Sequence, residues 1–303
     1  ERPLKITMEV MDAQTSPQDS LQAKPCLSIP NWLKGYVSLL DLCSMGLDTR
    51  VVHSKMFLSA SHEIYAYTLI LTWLMTFFVY PEQILEHPGR PIIGSFNPCF
   101  GWDYAPASYI ALTTCSVNVF LTWRYAYLEI ARGRLLSPSG LTSVQTFSSF
   151  AACFLALASN LWLLLWIIGP GANQPRDNDG PHLAHWMLHT GIFVTYAAAS
   201  FMAQLGNVLE VMEGPDKDTV TNRHRIFIGV YGVSLGYLVL VYGYDLYMYR
   251  HGQPPALPGA FTQIADIFWV GCLAAVTSNT PNERPLKITM EVMDDEEHKS
   301  LTA

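Results

Sequence analysis

Six long apolar stretches constrain this chain more than any other feature of its sequence. None of them contains Lys, Arg or Glu, and each is close to the about 20 residues that a helix needs to cross a hydrocarbon core. They cover residues 64–80, 105–123, 146–168, 186–206, 226–247 and 260–278. The sequence therefore predicts six transmembrane helices.

The basic residues between these stretches predict an orientation. Fifteen of the 18 Lys and Arg residues lie in the N-terminal region, the second and fourth connections and the C-terminal tail. The other three connections hold one each, namely Arg90, Arg176 and Arg250. Since basic residues are retained on the cytoplasmic side, this alternation predicts that both termini are cytoplasmic.

These patterns predict an all-α, polytopic integral membrane protein with one six-helix bundle. Only 14% of the residues are charged, against about 25% in soluble proteins. We divide the chain into a cytoplasmic N-terminal region (1–62) with an interfacial helix at 31–47, a transmembrane domain (63–278) and an acidic cytoplasmic tail (279–303). The net charge of −7 argues against nucleic acid as a partner, because nucleic-acid binding requires a basic face.

A twelve-residue repeat stands apart from this pattern. Residues 1–12 recur letter for letter as residues 283–294, without similarity elsewhere in the chain. The internal repeats of transporters extend over whole helices and have diverged in sequence. A short, identical peptide does not match that pattern. We favour the hypothesis that residues 1–10 are not native, since Met11 would make an ordinary start. A duplicated peptide is the alternative, and its alternating apolar residues predict two strands that pair with each other on the cytoplasmic face.

Four ionisable residues in or beside the predicted spans are candidates for a polar site. His185 and His189 lie one helical turn apart at the start of the fourth span, while Asp245 and Asp266 lie in the outer thirds of the fifth and sixth. A histidine pair with a carboxylate is compatible with metal binding or proton handling. All four lie near a boundary, however, so we favour a structural role and predict no metal site.

Amide side chains inside the spans are predicted to join helices. Asn118, Asn160 and Gln204 lie in the second, third and fourth spans. An amide in a membrane seeks a partner on a neighbouring helix, and each such bond contributes about 0.6 to 2 kcal/mol.

The sequence carries no familiar catalytic motif. It has no H-E-x-x-H, no G-x-S-x-G and no P-loop. We therefore expect a protein that is not an enzyme and has no cofactor, with bound lipid left open.

The segment that precedes and begins the second span resembles the damage-regulated autophagy modulator family. The resemblance rests on Asp103, Tyr104, Pro106, Ser108 and Ile110, and it continues in Ala158-Ser159-Asn160, His189-Thr190-Gly191 and Ala265-Asp266. The chain departs from the family pattern at Phe100-Gly101-Trp102, where the family has Asp-Thr-Gly, and at Ala107, where it has Glu.

This resemblance implies six spans with cytosolic termini and no catalytic constellation. It also implies roles known in that family and its relatives, which are autophagy at lysosomes, recruitment of a phosphoinositide kinase at the plasma membrane and maturation of lipid-anchored proteins. Asp103, Tyr104, Pro106 and Ser108 would then shape the loop.

We expect a non-catalytic membrane scaffold or regulator whose partners are membrane lipids and other membrane proteins. A structural subunit of a larger membrane assembly is one alternative. A transporter or channel with Asp245, Asp266 and His189 along its pathway is another. The sequence leaves open whether the membrane is lysosomal, plasma or another endomembrane.

Overall fold

The computed structural model of the protein describes residues 4–11, 51–87, 89–90, 96–168, 183–253 and 259–292. Within these ranges the chain forms seven α-helices, two short 3-10 helices and three strands. The helices are α1 (Ser54–Val79), α2 (Glu82–Leu85), α3 (Ala107–Leu136), α4 (Ser143–Ile168), α5 (Leu183–Glu213), α6 (Asn222–Arg250) and α7 (Gly259–Asn279). The strands are β1 (Leu4–Val10), β2 (Val51–Val52) and β3 (Leu286–Val292), and the 3-10 helices are Pro98–Trp102 and Lys217–Thr219.

Five of the helices in the described ranges are long and apolar enough to cross a membrane, and these are α1, α4, α5, α6 and α7. The structure thus supports a helical, multi-pass membrane protein. The second predicted span lies in α3, which is not among the five. Its polar side chains lower its hydropathy, and they are Thr113, Thr114, Ser116, Asn118 and Thr122. Six spans, with cytoplasmic termini, therefore remain a prediction.

Helix α3 nevertheless belongs to the same bundle. Its 30 residues extend about 45 Å at 1.5 Å per residue, and it packs between α1 and α4. Helix α4 also packs along α5, while α7 packs against α1 and α6. Thr142 and Gln145 form a reciprocal capping box at the start of α4, with bonds of 3.0 and 3.2 Å. The Thr-x-x-Gln spacing thus determines where α4 begins.

Large aromatic side chains fill the interior of the bundle. Tyr65 lies at their centre, and its ring centroid is 4.9 Å from that of Tyr196, 5.4 Å from Trp102 and 6.0 Å from Trp269. All four side chains are fully buried. Edge-to-face and tilted pairs at these distances contribute about 0.5–1.5 kcal/mol each beyond the burial of their area.

The two copies of the repeat form a small sheet together with β2, in the order β1-β3-β2. Strand β1 pairs antiparallel with β3, as predicted for a duplicated peptide, and Thr7 lies opposite Thr289. The side chains of Leu286 and Ile288 are buried in the core, and Met8 and Val10 of β1 pack against it. One face of the sheet therefore covers the helices.

Helix α1 begins earlier than the apolar stretch suggested. It starts at Ser54, so the predicted domain boundary at residue 62 falls inside a continuous helix. The polar first turns of α1 are buried, with Ser61, His62 and Glu63 excluded from solvent, so hydropathy alone does not mark them as part of the helix. The predicted interfacial helix at 31–47 and residues 293–303 of the acidic tail lie outside the described residues.

Candidate functional site

A buried group of charges lies where one end of the bundle meets the segment that leads to β3. The guanidinium Nη2 of Arg132 is 2.7 Å from Glu129 Oε1, 3.1 Å from Glu210 Oε1 and 3.3 Å from Glu283 Oε2. None of these four side chains is more than 5% exposed. We call them the Arg132 cluster, and we call this end of the bundle the Arg132 end.

Neighbouring side chains donate hydrogen bonds to the cluster. Ser148 of α4 donates to Glu129 Oε1 over 3.1 Å, and Asn207 of α5 donates to Glu283 Oε2 over 3.3 Å. The Ser54 hydroxyl at the start of α1 lies 2.8 Å from Glu129 Oε2 and 2.7 Å from Glu283 Oε1. The cluster thus joins α1, α3, α4, α5 and the segment after α7.

With three carboxyl groups around one guanidinium, the cluster has an excess of negative charge, and protonation of one carboxyl group reduces that excess. Burial alone would raise the pKa of Glu129, but the Arg132 guanidinium and the hydrogen bonds outweigh burial and lower this pKa to about 2. Burial likewise acts to lower the pKa of Arg132, and its three carboxyl neighbours raise it instead. With Glu129 and Arg132 ionised, we assign this proton to Glu210, whose carboxyl group lies beside the ionised Glu129.

A cleft of about 240 Å³ opens beside the cluster. Arg132 and Glu210 form part of its wall, together with Glu213 and Asp216 from the end of α5 and the turn that follows. The lining also includes the apolar side chains of Leu136, Val144 and Val211 and the polar side chains of Ser137, Thr142 and Gln145. The cleft therefore combines an acidic rim, one buried guanidinium and apolar walls.

Polar contacts hold the segment between α7 and β3 against the bundle. Arg223 donates to Asn279 Oδ1 over 2.8 Å, Gln204 donates to Thr280 over 3.1 Å, and Arg284 forms an ion pair with Asp216 at 3.0 Å. Since Glu283 lies between these anchors, its position in the Arg132 cluster is fixed from both sides.

The opposite end of the bundle holds Asp245 and Asp266, which have separate partners. Asp266 Oδ1 accepts a hydrogen bond of 2.7 Å from Tyr242, and Asn97 of the preceding loop contacts both groups. Asp245 Oδ2 accepts a bond of 3.0 Å from Thr262. Both carboxyl groups thus join α6 to α7.

His189 lies near another polar pair at this end. His87 Nδ1 accepts a hydrogen bond from the Gly89 amide over 3.0 Å, so the proton is on Nε2, which donates to Asp103 over 2.8 Å. The ring of His189 contacts that of Trp162 edge to face at 5.3 Å. His185 lies in α5, but its side chain is outside the described part of the structure. The predicted convergence of the histidines with Asp245 and Asp266 is therefore not visible as one cluster.

The amides of the predicted spans differ in their partners. Asn118 of α3 donates to the Tyr196 hydroxyl of α5 over 2.7 Å, as expected for an amide that joins helices. Asn160 instead donates to the Ala156 carbonyl oxygen of its own helix over 2.7 Å. An amide side chain can donate to a carbonyl oxygen in the preceding turn of its own helix. Sequence spacing alone does not distinguish this bond from one to a neighbouring helix.

The loop residues that carry the family resemblance lie at the start of α3. The Ser108 amide donates to the Tyr104 carbonyl oxygen over 2.9 Å, and the Tyr109 amide donates to that of Pro106 over 3.1 Å. Together with the His87–Asp103 pair, these bonds shape the turn between the loop and the helix.

Sequence reasoning did not single out the Arg132 cluster. Arg132 was counted only among the basic connections and Glu283 only as part of the repeat, while Glu129 and Glu210 lie beyond the apolar stretches. One sequence pattern does indicate part of the cluster. Glu129 and Arg132 are three residues apart, so they lie on one face of a helix and can form an ion pair. That spacing is also common on exposed helices, so it does not by itself indicate burial.

Comparison with known proteins finds no matching family model, no similar curated protein and no similar solved structure.

Proposed function

We propose that this protein is a non-catalytic membrane scaffold or regulator that acts through contacts with lipids and other proteins. The Arg132 cluster carries the proposal, because it holds five elements of the chain together around an open cleft. Because the Arg132 cluster fixes these elements relative to one another, the Arg132 end can present a rigid surface to a partner. The resemblance to the damage-regulated autophagy modulator family points in the same direction, and we place the termini and the Arg132 end in the cytoplasm.

The packing of the interior favours this function over transport. Tyr196 lies 14 residues before Glu210 on α5, about 20 Å along the helix axis, and therefore between the two polar ends. The aromatic rings around Tyr65 occupy that level and are closed to solvent. A transporter would have to open this packing in each cycle.

The buried acids are the observation that keeps a transporter as the second candidate. Asp245 is fully buried, and its Oδ1 accepts no hydrogen bond from the residues that the structure describes. A buried acid is costly inside a membrane, so its presence favours a functional role. Flux into proteoliposomes that changes with Asp245→Asn or Asp266→Asn would favour transport over the scaffold function.

Partner capture tests the scaffold function directly. Glu213 is exposed at the rim of the cleft, and Glu82 is an exposed glutamate at the other end of the bundle. In quantitative affinity purification in mild detergent, we expect Glu213→Lys to lose specific partners that the wild type and Glu82→Lys retain. Equal capture by all three proteins would contradict a role for the cleft. A stoichiometric co-migrating chain would instead identify a structural subunit.

The location of the protein decides which regulatory role applies. We propose a lysosomal, plasma or other endomembrane site, and imaging of a tagged full-length copy distinguishes these membranes.

A further inference from the structure

The cleft beside the Arg132 cluster has an excess of negative charge. Four of its lining residues are ionisable, and they are Arg132, Glu210, Glu213 and Asp216. Arg284 neutralises Asp216 through their ion pair. With Glu210 protonated, Glu129 and Glu283 still outnumber the one guanidinium that they contact. Glu213 adds a further negative charge at the rim, so the cleft attracts cations.

The ends of two helices add to this negative potential. Helix α3 ends at Leu136 and α5 at Glu213, and both residues line the cleft. The C-terminal end of a long helix is equivalent to about half a negative elementary charge. The start of α4 also lines the cleft, but the capping box of Thr142 and Gln145 already satisfies two amides there. The backbone therefore favours a cation as well.

One buried carboxyl oxygen in the cleft wall is not satisfied by the protein. Glu210 is only 4% exposed, and its Oε1 lies 3.1 Å from Arg132 Nη2 in an ion-pair contact. The geometry of that contact is not that of a hydrogen bond, and no other residue that the structure describes donates to this oxygen. A buried acceptor without a donor is costly. A ligand that carries a donor into the cleft would therefore be bound at Glu210.

We propose that the cleft binds a lysine side chain of a partner protein, with the ammonium group at Glu210 and Glu213. This inference rests on the proposed scaffold function and specifies what the partner presents. The apolar side chains of Leu136, Val144 and Val211 can cover the methylene stem of lysine while its charged end meets the carboxyl groups. A cleft of about 240 Å³ suits one side chain, since sites for drug-sized ligands begin near about 300 Å³.

The position of the cleft favours a protein over a lipid headgroup as the source of the ammonium group. Leu136 lies 13 residues beyond the predicted span 105–123, and Glu213 lies seven residues beyond the predicted span 186–206. These separations are about 20 Å and 10 Å along the helices. The headgroup layer on each side of the hydrocarbon core is only about 5–8 Å thick. The cleft therefore faces the aqueous phase.

Thiol modification of the full-length protein in mild detergent tests the cation site without a partner. Ser137 lines the cleft and Ser139 is exposed beyond it, so Ser137→Cys and Ser139→Cys place a thiol inside and outside. Each variant is treated with aminoethyl methanethiosulfonate, which carries an ammonium group, and with the neutral methyl reagent. We expect the aminoethyl-to-methyl rate ratio to be at least about tenfold larger at residue 137 than at residue 139. Glu213→Gln should lower this ratio, whereas Asp218→Asn, which changes an exposed acid outside the lining, should not.

A small probe tests for lysine itself. Nα-acetyl-lysine methylamide has about 14 non-hydrogen atoms, and a ligand of this size binds in the millimolar range. At about 10 mM we expect it to slow modification of Ser137→Cys by the methyl reagent at least about threefold. The Nε-acetylated form lacks the positive charge and should give no protection. Val144→Cys provides a second thiol in the cleft if gel filtration and thermal unfolding show that Ser137→Cys does not fold.

Two outcomes would overturn the proposal. One is an equal rate ratio at residues 137 and 139. The other is protection by short-chain phosphatidylethanolamine in the micelles without protection by the lysine probe, which would assign the cleft to a lipid headgroup. Either result leaves the scaffold function intact if the wild type still captures partners that Glu213→Lys loses. Protection by the lysine probe without any partner capture would instead contradict the scaffold function alone.

Discussion

The Arg132 guanidinium contacts all three carboxyl groups of its cluster. Removing a partner from a buried ion pair leaves uncompensated charge away from water. We expect Arg132→Met to lower the free energy of unfolding by about 3–5 kcal/mol, measured by thermal or denaturant unfolding in detergent.

Arg134→Gln is the matched control for this change. Arg134 lies two residues further along α3 and is exposed. Exposed substitutions usually change stability by less than about 0.5 kcal/mol. Equal effects of the two substitutions would contradict the buried cluster.

Glu129 predicts a specific dependence of stability on pH. Its folded-state pKa of about 2 lies below its ordinary value of 4.5. The ionised group therefore stabilises the fold above pH 4.5, and this stabilisation, up to about 3 kcal/mol, is lost as the pH falls toward 2. We expect a larger loss of thermal stability between about pH 5 and pH 3 in the wild type than in Glu129→Gln. Parallel pH profiles would show that another group is responsible.

At the level of helices, α4 and α5 approach each other closely where Gly206 meets Ser148. A Cβ atom on Gly206 would lie 3.0 Å from the Ser148 Cα atom, which is closer than side chains normally pack. Since Ser148 also donates to Glu129, any shift here disturbs the Arg132 cluster. The small residue thus links helix packing to the site.

Alanine substitutions test this crossing. We expect Gly206→Ala to destabilise the protein by about 1–3 kcal/mol through steric overlap. Gly191→Ala on the same helix has no atom within 4 Å of the added group, so it should be neutral or stabilising by up to about 1 kcal/mol. Thermal unfolding in detergent compares the stabilities of the two variants. If Gly206→Ala left the stability unchanged, the two helices would separate easily.

At the level of the whole molecule, the structure brings the strongly basic connections to one end of the bundle. Arg132 follows the second span and Arg223 precedes the fifth, and both contact groups at the Arg132 end. Arg250 lies at the far end of α6. This arrangement agrees with the alternation of charge along the sequence.

Labelling from one side of the membrane tests the orientation. Exposed positions are available at both ends, with Arg134 and Arg225 at one and Arg250 at the other. We expect an impermeant maleimide added to the non-cytoplasmic side to label Arg250→Cys, but to label Arg134→Cys and Arg225→Cys only after permeabilisation. The parent chain with its native cysteines sets the background. Opposite labelling of Arg134→Cys and Arg225→Cys would refute the alternating topology.

Local properties of the sequence determined the long helices, the cap at Thr142 and the capacity of the two repeat copies to pair. Apolar stretches must be helical to satisfy their backbone in a membrane, and identical alternating segments have matching strand faces. The helices and the cap depend on neighbouring residues, whereas the pairing depends on two matching segments far apart in the chain.

Only the tertiary structure decided that Glu129, Arg132, Glu210 and Glu283 meet. The last of these is 154 residues from the first along the chain, and each alone resembles an ordinary charge at a helix end. Whether these side chains are buried and paired depends on which helix ends pack together. The local sequence does not determine that packing. Tertiary packing also decides that Asp245 and Asp266 have separate hydrogen-bond partners.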